Sequence, residues 1–552
     1  METQVADKQF YSNKLSEQIW GHRFTDGQRG VEYVLEFLNV MAGANYKLDA
    51  THYYRKKMEL FRQFVFEGEK HGAVKKGEPS YLEFSLEEKE KLIKELGIQK
   101  NDLEDLQLFF KNLRVELLRA EGKAMDRSWY AQMLFPLNDA LLFFELRSRK
   151  KGDDEVNAFE RNFFARGGEL YYLMLTYGTA HDSKLRTSIE TQLKRLMSGN
   201  QNIGRIVNSI CKSLNEEAQF DYNQPLRKSV LLQKKQELLE QYEGAAKSEY
   251  PTLPDTNKDV YRVMAEDLNA LMKINVDIYE FMGMLTSLVN FQIYSYMMTQ
   301  ASEYIGEQYK LFIDCMDGTN PHIKRLAQHA FKDNERIVKE CFDRHTDKHL
   351  ETLLPANDAE TKIMEWKEAA KNSQATLTVE KYKQFFKDLK YSKLHDASKQ
   401  ELINTLVEDN KQAYKLLVQK IKEISRKDMS KQCTILNILS RDGGFMISSR
   451  GVQARYTLSD NLLSAFVYIL LDEAPQMSFQ KFKRKLYERY HIIIAEDEAT
   501  QSGIYAAERI NLRCFIDNGT QLRSKLAKNG LLEEYSDATA LIKNPYFKQG
   551  AV

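Results

Sequence analysis

Residues 281–302 read FMGMLTSLVNFQIYSYMMTQAS, a long run without a single charged side chain. Asn290, Gln292 and several hydroxyl groups interrupt the apolar residues, and no basic cluster flanks the run. A membrane span typically needs about 20 predominantly apolar residues, with basic or aromatic anchors at its ends. The stretch therefore predicts a helix buried in the core of a soluble protein, and we expect no membrane contact.

The composition around this stretch predicts a mainly α, multi-domain protein. The 552 residues include only 26 glycines and 9 prolines, and no glycine occurs between Gly318 and Gly443. Long stretches without helix breakers favour helices. Lys and Arg number 80 against 79 Asp and Glu, so any attraction to nucleic acid must come from a local patch.

The spacing of the cysteines indicates the cellular compartment, and the absence of two nucleotide-binding motifs bears on cofactors. The five cysteines are far apart and form no CxxC pair: Cys211, Cys315, Cys341, Cys433 and Cys514. This pattern is typical of reduced thiols in a cytoplasmic protein. Neither a GxxxxGK[ST] loop nor a GxGxxG loop after a strand is present, and we expect no cofactor.

Breaks in the helical pattern along the chain predict three domains. An N-terminal helical domain, 1–250, begins with an apolar helical stripe after residue 30 and continues through helical patterns at 103–121, 130–149, 190–197 and 206–214. A proline-containing linker at 243–259 precedes a middle helical domain, 257–440. A third domain, 441–552, is predicted to contain strands as well as helices.

The domain 441–552 is predicted to resemble a winged helix with a short β-hairpin. Asp442-Gly443-Gly444 ends a helix, and two short strands then flank Ser449-Arg450-Gly451. Ser459 or Asp460 can cap the next helix. Two further helices follow, the last ending at Asn529-Gly530 before a short strand. This order is typical of winged-helix domains.

Basic residues on the last two helices are candidate nucleic-acid-binding residues. They are Lys481, Arg484, Lys485 and Arg489 on one helix and Arg523, Lys525 and Lys528 on the next. A winged helix can insert its third helix into the major groove while basic side chains bind phosphates. The domain carries a net charge of only about +2, however, whereas strong nucleic-acid binders are usually more basic. DNA binding, protein docking and a structural cap all stay open.

One alternative is enzymatic. Arg344-His345-Thr-Asp-Lys-His349 matches the pattern R-[NHD]-x3-H and resembles the motif of HEPN ribonucleases. The resemblance implies metal-independent RNA cleavage, with His349 as general base and Arg344 stabilising phosphate charge. Cys341, His345 and His349 also fall on one side of a helix, but a single helix offers too few ligands, and we expect no metal site.

Two glycine-bearing stretches at helix starts are either ligand-binding sites or packing features. Arg166-Gly167-Gly168-Glu169 could present backbone amides to an anion, although tight packing between helices is the favoured interpretation. IWGHRFTDGQRG, residues 19–30, groups His22, Arg23, Asp26 and Gln28 as a polar cluster. Trp20, Phe24 and Phe37 predict hydrophobic anchors around the Asp26-Gly27 turn. We interpret this stretch as the entry to a helical domain.

Three stretches together, HRFTDGQ, ARGGELYYLML and YTLSDNLLSAFVYILL with LYERY, resemble large helical accessory proteins encoded in bacterial anti-phage defence operons. The resemblance implies a non-enzymatic subunit or adaptor that works beside other protein subunits and engages DNA or those partners through its C-terminal domain. It assigns no functional residues.

Overall fold

A computed structural model describes most of the chain. The described residues are 11–22, 24, 28–50, 59–68, 70–73, 79–81, 83–115, 133–134, 136–142, 146–151, 154–159, 166–214, 251–274, 276–389, 396–449, 451–535 and 539–546. Arg23, Asp26 and Gly27 of the stretch 19–30 lie outside them. The fold is mainly α, as predicted.

The helices are long in the second half of the chain. They are α1 Tyr11–Trp20, α2 Gly30–Gly43, α3 Glu59–Val65, α4 Leu86–Leu96, α5 Lys100–Asn112, α6 Gly167–Gly178, α7 Ser183–Met197, α8 Gln201–Ser213, α9 Asp259–Met272, α10 Ile278–Ile305, α11 Pro321–Leu353, α12 Ala359–Lys371, α13 Thr378–Lys381, α14 Lys383–Asp388, α15 Asp396–Thr405, α16 Asn410–Asp442, α17 Asp460–Leu471, α18 Phe479–Tyr490, α19 Glu496–Gln501, α20 Ile504–Glu508 and α21 Leu512–Lys528.

The strands are short. They are β1 Lys70–Ala73, β2 Pro79–Tyr81, β3 Arg114–Val115, β4 Met133–Leu134, β5 Leu146–Lys151, β6 Asp154–Phe159, β7 Leu311–Phe312, β8 Met446–Ser449, β9 Val452–Tyr456, β10 Gln476–Ser478, β11 Ile492–Ile493, β12 Leu532–Glu534 and β13 Ala540–Lys543.

Helix α10 contains the charge-free stretch and is buried along most of its length. Leu285, Leu288, Phe291, Tyr294 and Met297 are among its fully buried side chains. The prediction of a buried core helix is confirmed. Within the described residues, no helix combines the length and apolarity needed to cross a membrane.

The chain forms two compact units that are interleaved in sequence. The first contains Met1–Asp26, Ser248–Asp255 and Asn290–Pro545, and the second contains Gly27–Lys247, Thr256–Val289 and Tyr546–Val552. The boundary between them therefore falls within α10. The predicted segments 1–250, 257–440 and 441–552 divide the chain consecutively, and their boundaries stay predictions.

In the second unit, α6 packs against α2 and α9 at very short distances. A Cβ atom on Gly168 would lie 2.3 Å from the Tyr33 carbonyl oxygen and 2.7 Å from the Phe37 amide nitrogen. A Cβ atom on Gly178 would lie 2.2 Å from the Tyr261 carbonyl oxygen. Only glycine lets the backbones approach this closely.

The helical pattern predicted for 130–149 is wrong. Its described residues form β4, a short 3-10 turn at Asp139–Leu141 and the start of β5. Strand β5 pairs antiparallel with β6, from Leu146 opposite Phe159 to Lys151 opposite Asp154. Strand β6 supplies the backbone hydrogen-bond partners of β5, so these residues do not form a helix. The predicted helical pattern rested on the apolar residues 141–144.

The C-terminal segment contains the predicted hairpin and caps. Strands β8 and β9 pair antiparallel, with Met446 opposite Tyr456. The Ser459 hydroxyl accepts a hydrogen bond from the Leu462 amide at the start of α17. Helix α21 ends before Gly530, whose φ of 71° lies in the left-handed region that glycine favours.

A three-stranded antiparallel sheet that the sequence did not predict completes this segment. Its strand order is β10, β13, β12, so the last strand of the chain lies between the other two. Strand β10 leads directly into α18, and α21 leads into β12. The order is therefore helix, strand, two principal helices and two strands.

Residues far upstream form part of the same core within the first unit. Strand β11 pairs parallel with β7, with Ile492 opposite Leu311. One buried cluster contains upstream and C-terminal side chains in equal number: Phe312, Ile323, Leu326 and Ala327 with Ile493, Ala499, Ile510 and Phe515. The segment 441–552 therefore does not enclose its own core.

The close packing at Gly168 predicts a large cost for adding one methyl group. We expect Gly168→Ala to lower the free energy of unfolding by about 3 kcal/mol, because the new Cβ must displace backbone atoms of α2. Gly199→Ala is the control, since the nearest atom to its added Cβ is the Leu196 carbonyl oxygen at 3.3 Å. Urea midpoints measured by circular dichroism test this, and equal midpoints for both variants would contradict it.

Candidate functional site

Helix α21 is the third principal helix of the C-terminal segment and carries three of the candidate basic residues. The Asn511 side chain accepts a hydrogen bond from the Arg513 amide (2.9 Å) and caps the helix. Phe515, Leu522 and Leu526 are fully buried at helical spacing and hold one face against the core. The remaining face is available to solvent.

The buried side chain of Asn518 fixes the position of α21. Its Nδ2 donates to the carbonyl oxygens of Ile313 and Ile494, each at 2.8 Å, and its Oδ1 accepts from the Cys315 amide at 2.8 Å. Three backbone groups beside the β7–β11 pair therefore depend on one side chain. Nothing in the sequence points to this residue, because an asparagine within a helix gives no local sign of its partners.

The basic side chains of α21 are largely paired within the C-terminal segment. Arg523 Nε donates to Glu534 Oε1 on β12 at 2.7 Å. Lys525 donates to the Leu458 carbonyl oxygen and lies 3.5 Å from Asp460. Lys528 is exposed near the end of the helix. Of the three candidates, only Lys528 lacks an acidic neighbour among the described residues.

The candidates on α18 are arranged similarly. Arg484 lies 3.8 Å from Glu488, and Lys485 Nζ donates to the Leu470 carbonyl oxygen at 3.0 Å. Partial burial, together with the nearby charges of Lys481 and Arg489, lowers the pKa of Lys485. Lys481 is exposed. Arg489 lies beside the ring of the adjacent Tyr490.

The remaining basic residue of α18 is Lys483, and its side chain is buried. Its Nζ lies 4.0 Å from Glu498 Oε1 and 5.5 Å from the ring centre of Phe479. Glu498 is also buried, and desolvation raises the pKa of its carboxyl group. Helix α19, which the sequence did not predict, covers this lysine.

The solvent-facing side of α21 is therefore mostly neutral. Arg513 forms an ion pair with Asp517 at 2.8 Å on the helix surface. Lys528 lies at the end of this side, and the other exposed or half-exposed positions are Ile516, Thr520, Gln521, Ser524 and Ala527. A helix that bound phosphates would present unpaired cations there.

The ribonuclease candidates lie within the long helix α11. Arg344 donates to Glu340 Oε1 at 2.5 Å and to the Ile305 carbonyl oxygen at 3.2 Å. Five residues along a continuous helix turn the direction of the side chain by about 140°. Arg344 and His349 therefore point to different sides of α11, and this geometry does not favour joint action on one phosphate.

The neighbouring His345 lies against an aromatic ring. Its imidazole stacks on Tyr304 with ring centres 3.8 Å apart. Desolvation and the nearby charge of Lys348 lower the pKa of His345 to about 4, so the ring is neutral at pH 7. Cys341 is buried, which raises the pKa of its thiol to about 12. In the described part of the chain, no cluster of three or more potential ligands has the geometry to bind a metal.

The start of α6 is occupied by a side chain of the protein itself. Glu36 Oε1 accepts from the Arg166 amide at 2.9 Å, and Glu36 Oε2 accepts from the Gly168 amide at 2.8 Å. Gln28 Nε2 donates to the same carboxylate at 2.8 Å. The positive end of the helix thus already has a buried anion. These contacts support the packing interpretation.

Residues 19–30 and the helix α2 that follows them contribute to the cores of both units. Trp20 and Phe24 are buried in the first unit, where Trp20 packs against Phe342 with ring centres 6.0 Å apart. Phe37 is buried in the second unit and contacts Tyr171 edge-on. These three anchors are packing residues, as predicted. Their proposed arrangement around the Asp26-Gly27 turn lies outside the described residues.

The hydrogen bonds of Asn518 predict a specific loss of stability. Asn518→Ala leaves two carbonyls and one amide without their side-chain partner, and we expect the free energy of unfolding to fall by at least about 2 kcal/mol. Thr520→Ala, at an exposed position on the same helix, should change it by less than about 0.5 kcal/mol. Urea unfolding of the full chain compares the two, and similar losses would refute the assigned role.

Comparisons with known proteins provide no relative from which a role could be transferred. No protein-family model, curated protein or solved structure matches the chain.

Proposed function

We propose that this chain is a non-enzymatic subunit or adaptor of a multi-protein assembly, and that its C-terminal domain binds a partner protein. The observation that carries the proposal is the charge pattern of α21. Its basic residues Arg523 and Lys525 are engaged within the segment, whereas its solvent-facing positions are mostly neutral.

We assign the C-terminal domain to the winged-helix class. The assignment is supported by the order of α17, β10, α18, α21, β12 and β13. It is also supported by the sheet order, in which the strand before the second helix pairs with the last strand of the chain. The short helices α19 and α20 are insertions between the second and third principal helices in this assignment.

Protein docking is favoured over DNA binding because phosphate contacts need available cations. Arg484, Arg523 and Lys525 each have an acidic group within 4 Å. Exposed ion pairs of this kind are weak, but each acid lowers the local potential that would attract phosphates. The neutral side of α21 is better suited to the centre of a protein interface, where charged residues are depleted.

The defence setting of this assembly rests on the resemblance to accessory proteins of bacterial anti-phage defence operons, and it stays a prediction. The geometry does not favour the ribonuclease alternative, because Arg344 is engaged by Glu340 and Ile305 and points away from the side of His349.

Duplex DNA binding by the full chain tests the choice between DNA and protein. We expect weak binding at low salt, with the same salt slope for wild type and for a triple alanine variant of Arg523, Lys525 and Lys528. Each lost phosphate contact would instead lower that slope by about one unit. Binding that the triple variant loses, or whose salt slope the triple variant lowers, would make the domain a DNA-binding module.

A partner obtained by native purification of the tagged full chain tests docking directly. With the purified partner, we expect Thr520→Glu and Thr520→Lys each to weaken binding about tenfold or more, because either charge would enter the interface centre. Lys528→Ala is the matched control on the same helix and should have an effect below about twofold. A partner whose affinity is unchanged by both Thr520 variants would place the docking surface elsewhere.

A further inference from the structure

Helices α7 and α8 of the second unit have an unequal balance of charge. Residues 183–214 contain six lysines and arginines but one acid, Glu190, whereas the whole chain has 80 basic and 79 acidic residues. Glu190 is buried, where its Oε2 accepts from Lys47 Nζ at 2.7 Å and its Oε1 accepts from the Leu48 amide at 3.0 Å. The single negative charge of this segment is therefore neutralised inside the protein, and its exposed charges are all positive.

Five of these cations are exposed and follow one side of each helix. On α7, Lys194 and Arg195 come 10 and 11 residues after Lys184, which is about three helical turns. On α8, Lys212 follows Arg205 by seven residues, which is about two turns. We call these five cations the basic face. The exposed positions on the same sides of the two helices are polar and uncharged: Thr187, Thr191, Ser198, Gln201 and Asn208.

The basic face is not neutralised from within. Arg205 Nη2 donates to the uncharged Asn202 Oδ1 at 2.9 Å. Helices α9 and α4 pack against α7 and α8, yet among the described residues no carboxylate lies within 4.0 Å of any of the five cations. The candidate cations of α21 differ, because Arg523 and Lys525 each have an acid within that distance.

The stability of the helices accounts for only part of this pattern. Lys194, Arg195 and Lys212 lie in the last turns of their helices, where positive charge interacts favourably with the helix dipole. Lys184 instead lies in the first turn of α7 and opposes the dipole. Arg205 lies beyond the first turn of α8, where the dipole gives it no support. Attraction of an anion accounts for all five.

We propose that the basic face binds the phosphate backbone of duplex DNA. A duplex carries one negative charge per about 1.7 Å, and unpaired lysines and arginines gain affinity by releasing its counterions. The hydroxyl and amide side chains among the five cations are of the kinds that also contact phosphates. With the docking proposed for α21, this surface would make the chain a link between DNA and its partner protein.

Two other anionic partners fit the basic face less well. Single-stranded nucleic acid binds largely by base stacking, and residues 183–214 contain no aromatic side chain. Helices that lie on anionic membranes bury a broad apolar face beside their basic residues. Among the described residues of α7 and α8, Ile206 is the only large apolar side chain that is exposed, at 39%.

Binding of the full chain to duplex DNA of mixed sequence, measured over a range of salt concentrations, tests this. Five phosphate contacts predict that log affinity falls with log salt with a slope of about 4.5. Lys194→Gln with Arg195→Gln and Arg205→Gln should lower this slope by about three units and weaken binding at low salt at least about tenfold. The variant should melt like wild type, because glutamine is a good helix former at exposed positions.

Two further variants separate local contacts from net charge and from misfolding. Lys381→Gln with Lys383→Gln and Lys387→Gln removes three exposed cations from α13 and α14 and should keep the wild-type slope. Thr191→Lys adds a cation between Lys184 and Lys194 and should raise the slope by about one unit, which a damaged fold cannot do.

Several results would overturn the proposal. They are no binding of wild type at low salt, equal slopes for wild type and the basic-face triple variant, and equal losses in the two triple variants. Tighter binding of wild type to single-stranded DNA, to duplex RNA of the same length or to phosphatidylserine vesicles than to duplex DNA would also overturn it.

Discussion

The hydrogen bonds of the Asn518 side chain hold the C-terminal segment in place. One amide group binds Ile313, Cys315 and Ile494 at 2.8 Å each, and thereby joins α21 to the parallel pair of β7 and β11. All three partners are backbone groups beside short strands, which supply few ladder hydrogen bonds of their own. Because buried backbone groups must be paired, the orientation of α21 depends on residues before α11.

This dependence changes how the C-terminal segment is understood. The order of its elements indicates a separate module, yet its core includes Phe312 and Ile323 from upstream. A fragment beginning at residue 441 would expose the side chains that these residues cover. Its binding behaviour would then reflect an incomplete core, which is why experiments on its surface need the full chain.

Local features of the fold could be predicted from the sequence, and distant pairings could not. The burial of α10 follows from the absence of charge in 281–302. The Ser459 hydroxyl caps α17 by binding the amide of Leu462, only three residues away in sequence. The pairing of Ile492 with Leu311 joins distant segments, and no periodicity within either one reveals it. The helical interpretation of 130–149 failed for a different reason: β5 pairs with β6, which begins three residues after β5 ends, and the apolar residues before β5 were taken for a helical stripe.

At the candidate site, too, the sequence indicates the type of each residue but not its neighbours in space. The sequence identifies which residues of α18 and α21 are basic, but Glu534 and Asp460 reach Arg523 and Lys525 only through the fold. Lys483 belongs to the same basic run of α18, and the fold buries it beside Glu498. A count of basic residues on a helix therefore overestimates the charge that a phosphate would meet.

Two sets of buried backbone groups are bound by side chains of the protein itself. The amides at the start of α6 bind the Glu36 carboxylate, and the backbone groups near Cys315 bind Asn518. In each case a buried side chain from a distant helix takes the place of a ligand, which stabilises packing and leaves no vacant donor for an anion. Partner binding is for this reason best sought on the exposed, mostly neutral face of α21, rather than at the glycine-bearing start of α6.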